Sequence, residues 1–116
     1  MRHRKTTKTL DRKKKPRELM LRNLASSIII FEKVKTTEAK AKVIKSFVDK
    51  LITTSKKGDL TSRRKLIEKL PQKMAVKKLM EVIGPKYKDR KGGYTRIIKI
   101  GNRQGDGAKI VQIELV

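Results

Sequence analysis

Cationic side chains dominate the chemistry available to this chain, and they are densest at its start. Arg2, Arg4, Lys5, Lys8, Arg12, Lys13, Lys14 and Lys15 fall within fifteen residues, with Asp11 the only acid and Leu10 the only large aliphatic side chain after Met1. Arg17 and Arg22 continue the series. Lys and Arg at this density neutralise phosphates and release the counterions held there. So little apolar surface cannot offset the entropy of ordering, so residues 1–15 are expected to form a basic extended tail, disordered until an anionic partner orders it. Nucleic acid is the densest polyanion able to order it.

Other chemistries fail on the residue inventory. His3 is the only histidine and there is no cysteine, so neither a zinc-type site nor a histidine general base in a pocket is available. His3 reads as one more polar tail residue. Glu18, Glu32, Glu38, Asp49, Glu68 and Glu81 are scattered among cations and read as helix-terminal or i,i+4 partners. The run Gly101–Lys109 superficially resembles a phosphate loop. It lacks the GxxxxGK[ST] spacing and no helix follows, so a hairpin turn is expected. No enzyme activity, cofactor, metal or small-molecule substrate is expected.

The aromatic side chains select among modes of nucleic-acid binding. Phe31, Phe47, Tyr87 and Tyr94 are the whole set, and both Phe residues fall on expected core stripes. Two tyrosines cannot build the stacking platform that single-strand binders use, which leaves phosphate contact and shape recognition of folded nucleic acid. Tyr94 would either stack on one base or cap the sheet edge. Gly92 and Gly93, flanked by Arg90, Lys91 and Arg96, would either form a plain turn or let the backbone approach a phosphate. Arg63–Lys65 and Lys77–Lys78 are further basic clusters on helices.

The elements that position these groups are legible from periodicity. Pro16 and Glu18 suit the first turn of a helix over about 17–31, with Leu21, Leu24, Ala25, Ile28 and Phe31 at helical spacing. A strand over 33–36 follows and includes Lys35. Thr37 is placed to N-cap a second helix, whose stripe is Val43, Ile44, Phe47, Val48, Leu51 and Ile52 and which ends at Lys56-Lys57-Gly58. A third helix is expected over about 60–69, with Leu66, Ile67 and Leu70 apolar. Pro71 would open a fourth, striped by Val76, Leu79, Met80 and Ile83 and stopped by Gly84–Pro85. Residues 94–101 and 108–116 read as strands joined by a turn. The result is an α+β fold: a compact two-layer domain over residues 16–116, ordered α-β-α-α-α-β-β, with helices against a small sheet.

The domain is itself basic. The chain holds 33 Lys+Arg against 11 Asp+Glu, for a net charge of +22, and fifteen of those net charges lie on residues 16–116. Sequences balanced for solubility mix the two signs more evenly. The longest apolar run is Ile28–Phe31, far short of the ~18 residues of a membrane span. A cytoplasmic protein is the simplest reading.

The chain resembles the L-seventeen family of the bacterial large ribosomal subunit. The residues that carry the resemblance are Met1-Arg2-His3-Arg4-Lys5, Leu10, Arg12, Arg22-Asn23, Lys35-Thr36-Thr37 and Ala39-Lys40-Ala41-Lys42. Gly84-Pro85, Gly92-Gly93-Tyr94-Thr95-Arg96-Ile97, Gly105-Asp106 and Ile113-Glu114-Leu115 complete it. The resemblance implies a non-enzymatic structural constituent of the large subunit that binds large-subunit ribosomal RNA. It also implies a place near the exit of the nascent-peptide tunnel and contact with neighbouring large-subunit proteins, including the L-thirty-two family. The expected RNA-binding set is Arg2, His3, Arg4, Lys5, Lys8, Arg12, Lys13, Lys14, Lys15, Arg17, Arg22, Lys35, Arg90, Lys91, Gly92, Gly93, Tyr94 and Arg96. A nucleoid or duplex-DNA-binding protein is the alternative; it is permitted by charge but lacks helix-turn-helix spacing. A membrane-surface or acidic-protein binder would need helix stripes that the core is expected to bury.

Overall fold

A computed structural model describes Leu10 and residues 13–116. The expected tail over 1–15 therefore lies outside the described residues, except for Leu10 and Lys13–Lys15. Helix α1 (Lys14–Phe31) leads into strand β1 (Lys33–Thr37), then helix α2 (Glu38–Ser55) and helix α3 (Leu60–Lys69). Helix α4 (Lys73–Lys78) runs on through a π-helical segment (Leu79–Ile83) into a last helical turn, α5 (Gly84–Lys86). Strands β2 (Thr95–Asn102) and β3 (Lys109–Leu115) form the expected hairpin. The antiparallel sheet has the order β1-β3-β2, so the C-terminal strand is central.

Register assigns the faces of the sheet. Val34, Ile113 and Ile97 align across the strands and face the helices; the next row outward is Lys33, Glu114 and Arg96. Helix α2 touches all three strands and brings Ile44, Val48, Leu51 and Ile52 against Val111 and Ile113. Its i, i+4, i+7, i+8 spacing is the reason it can present a continuous apolar stripe. Ile28 and Ile29 of α1, and Leu79 and Ile83 of the π segment, close the same core.

Several boundaries and faces differ from the sequence reading. Helix α1 starts three residues early, at Lys14, so Glu18 lies beyond the first turn, which holds no acid. Phe31 is 68% exposed. The buried face is Ala25, Ile28 and Ile29, and at 3.6 residues per turn Phe31 lies about 115° around from its middle. Ile67 is also exposed, because α3 buries only Ser62 and Leu66. Pro71 precedes α4 instead of opening it, since Gln72 is the N-cap. Thr37 occupies the N-cap position of α2 without a side-chain cap bond.

Gly84–Pro85 does not stop the fourth helix. In a regular α-helix Pro85 would clash with the carbonyl four residues back. The wide turn avoids this, as the Gly84 N–H bonds to the Leu79 carbonyl five residues back. Gly84 is fully packed: a Cβ there would sit 2.9 Å from the Ser55 carbonyl oxygen and 3.0 Å from that of Leu79. Its role is close approach to the end of α2. Gly84→Ala should therefore destabilise the domain by about 1–3 kcal/mol of overpacking. In thermal unfolding this is a fall of at least several degrees, at about 4–8 °C per kcal/mol for a domain of this size. Gly92→Ala, where a Cβ meets nothing within 4 Å, should leave the midpoint nearly unchanged.

Candidate nucleic-acid interface

The expected binding residues fall into separate groups. Arg2, His3, Arg4, Lys5, Lys8 and Arg12 lie outside the described residues. Lys13, Lys14 and Lys15 are exposed around the first turn of α1, Arg17 is half-buried, and Arg22 is exposed a turn further on. This end of the helix carries positive partial charge, so clustering cations there is unfavourable by itself and favourable toward an anion. Strand β1 follows the other end of α1, about 25 Å away at 1.5 Å per residue.

A second group gathers around the sheet. Lys35 is exposed on β1, on the same outer face as Arg96 and one row along. Lys33, absent from the sequence-derived set, shares that face and is the direct cross-strand neighbour of Glu114. Its signal was available: in the half-buried strand Lys33-Val34-Lys35, both lysines must point outward. Arg96 Nε donates to Glu114 Oε1 at 2.7 Å, and this bond first, then the guanidinium charge, lowers the pKa of the Glu114 carboxyl.

Between α5 and β2 lies the basic loop 87–94. Lys88 to Gly93 are all exposed. Gly93 has φ +63°, a left-handed conformation that favours glycine. Arg90 folds its Nε onto the Gly92 carbonyl at 3.2 Å. Tyr94 is 1% exposed, which overturns base stacking for its ring. Its ring packs 5.2 Å from that of Tyr87, and its hydroxyl donates to the Arg90 carbonyl at 3.1 Å. Burial raises the Tyr94 pKa, but hydrogen bonds to Lys56 and Thr53 and the Lys56 charge outweigh it, leaving the phenol below its ordinary value.

The helical clusters divide. Arg63, Arg64, Lys65 and Lys77 are exposed, whereas Lys78 turns inward, donating to the Ile30 carbonyl at 2.8 Å and lying 3.7 Å from Glu32. Glu32 holds a left-handed φ of 65° at the end of α1, so Lys78 caps a strained corner. The stretch that resembled a phosphate loop is a hairpin turn, in which the Arg103 N–H bonds to the Ala108 carbonyl and Arg103 Nε lies 3.1 Å from Asp106 Oδ1. Among the described residues no group of His, Cys, Asp or Glu could hold a metal ion.

These features define a helix-on-sheet scaffold whose exposed surface is rich in cations. The family model for ribosomal protein L17 matches residues 20–116. The chain is 49% identical to the large ribosomal subunit protein bL17 of Syntrophotalea carbinolica, covering all of this chain and 75% of that protein. It is 46% identical to the bL17 of Hydrogenobaculum sp., covering all of this chain and 99% of that one. The chain belongs to the ribosomal protein L17 family. That family is one of structural ribosomal proteins and not of enzymes.

The hairpin turn has a measurable pH signature. The Arg103 hydrogen bond, then that from the Ala108 N–H, lowers the Asp106 carboxyl from 3.8 to about 2. A depressed folded-state pKa stabilises the turn above the ordinary carboxylate value, and that contribution is lost as pH falls from about 4 to about 2. The side-chain carboxyl resonance of Asp106 should titrate with a midpoint near the lower value, and Arg103→Gln should move it back up.

Proposed function

We propose that the protein is a structural constituent of the large ribosomal subunit in the cytoplasm, binding large-subunit ribosomal RNA by phosphate and shape contacts. The observation that carries this reading is the cationic surface made by Arg90 and Lys91 in the loop and by Arg96, Lys33 and Lys35 on the open sheet face. Family membership supports the same assembly. The cations at the start of α1 form a second contact region, continuous in sequence with the basic tail. Neighbouring large-subunit proteins are further partners, the L-thirty-two family among them. Shape recognition fits because the one tyrosine beside the glycine pair is committed to the core.

Charge reversal at Arg90 and Lys91, with Arg96→Gln to avoid a Glu114 clash, should weaken binding to large-subunit RNA at least tenfold at moderate salt. The dependence of log K on log salt should flatten by roughly 0.7–0.9 for each phosphate that is no longer neutralised. Unchanged affinity would remove the loop and sheet edge from the interface. Deleting residues 1–9, which leaves Leu10 and α1 in place, should lower incorporation into large subunits while leaving the thermal midpoint of the domain in place. Incorporation equal to that of the full chain would refute a binding role for the tail. If DNase but not RNase released the protein from cell extracts, the duplex-DNA alternative would replace this reading.

A further inference from the structure

Lys56 follows the last turn of α2 and is only half-buried, yet it does not extend into solvent as its neighbour Lys57 does. Its Nζ donates to the Arg90 carbonyl and, at 2.9 Å, to the Tyr94 hydroxyl. Turning inward places one more ammonium beside a loop already rich in cations. The two oxygens it meets, one of them a backbone carbonyl, compensate for that placement through charge-assisted bonds. Asp49, two turns earlier on the same face of α2, adds a tie from Oδ1 to the Thr95 hydroxyl at 3.1 Å. The loop is also clamped at its base: Tyr87 packs on Tyr94, the Tyr87 hydroxyl bonds the Val116 carbonyl, and the Val116 N–H bonds the Tyr94 carbonyl at 2.9 Å.

The direction of the Arg90 carbonyl has a consequence for ligands. In a planar trans peptide the C=O and the following N–H point opposite ways. Drawing the Arg90 oxygen toward Lys56 therefore turns the Lys91 N–H away from Lys56, in a residue that is itself exposed. The Arg90 guanidinium likewise covers the Gly92 oxygen. Both carbonyls would repel a phosphate if they faced outward. Held as they are, these carbonyls leave the loop's cationic side chains and the Lys91 N–H to meet an anion together.

We infer that Lys56 is a positioning residue: it holds the 88–93 loop in the conformation that receives RNA phosphate without touching the RNA itself. The inference rests on the reading of that loop as an RNA contact, and a double-mutant cycle separates the two. The probe is deproteinised large-subunit ribosomal RNA, titrated with the full chain at fixed salt and well below the melting midpoint. The proteins are the parent, Lys56→Met, Arg90→Ala/Lys91→Ala and the triple variant. Lys56→Gln, which keeps one donor, serves as a second variant should Lys56→Met fold poorly, and Lys56→Arg tests rescue.

Lys56→Met should weaken binding about fivefold in the parent and by less than roughly 1.5-fold once the loop cations are gone, the non-additivity of groups in one network. Lys56→Arg should stay within about twofold of the parent for the same reason. An equal loss in both backgrounds would overturn the inference, making Lys56 a direct phosphate contact or a general determinant of the fold. No loss in the parent would overturn it as well. If Arg90→Ala/Lys91→Ala alone binds like the parent, the loop assignment fails, and this inference with it. If the parent itself does not bind, the RNA reading fails.

Discussion

A chain with three cations for every acid must fold against its own repulsion, and the placement of its few acids shows how it does so. Six of the eleven stand at structural joints. Asp59 caps α3 by accepting from the Ser62 N–H at 2.7 Å. Glu38 begins α2 and pairs with Lys42. Glu32 forms the corner between α1 and β1 near Lys78, and Asp106 closes the hairpin with Arg103. Glu114 sits on the central strand between Lys33 and Arg96, in the row of the sheet where two cations align. Asp49 ties α2 to the start of β2. Exposed pairs of this kind contribute little individually. Their effect is to place neutralisation where chain segments must meet and to leave the remaining cations unscreened.

The core can then be almost wholly apolar. Its buried polar residues are Ser26, Ser55, Ser62 and Thr95, all small and uncharged. Helix α2 organises it, because one helix facing all three strands lets a single apolar stripe serve the whole sheet. Its other contacts follow from the same placement. Ser55, near its end, meets Gly84 closely enough to require glycine there. Asp49 and Lys56, seven residues apart, reach the first residue of β2 and the residue before it. The element that builds the core thus also fixes the base of the basic loop.

Much of this was legible in the sequence. The α2 stripe, the hairpin and the element order follow from spacing alone, since amphipathic periods of 3.6 and 2 are imposed by backbone geometry. What could not be read depended on choices between equally periodic faces or on distant partners. Phe31 extends one helical stripe of α1, but Ile29 selects the neighbouring face. Gly84–Pro85 is a helix stop in most settings, and only the wide π turn accommodates it. Tyr94 carried two readings, and its packing against Tyr87 decides between them. Lys56 looked like an ordinary C-terminal cation, because its partners lie 34 and 38 residues away. Lys33 was the one omission that period-2 alternation could have prevented.

The same charge constraint joins stability to function. Exposed cations on the loop, the outer sheet face and the start of α1 raise the free energy of the folded chain, since compactness brings them together. A polyanion that binds only the folded arrangement lowers that energy, by an amount that grows with the ratio of its concentration to its dissociation constant. Removing the repulsion by substitution would therefore stabilise the isolated protein while weakening its hold on the ligand, and the two effects would be greatest at the same residues. The inward turns of Lys56 and Lys78 mark the exceptions. There a cation is held by backbone carbonyls, and its loss would weaken both the fold and the surface that the fold presents.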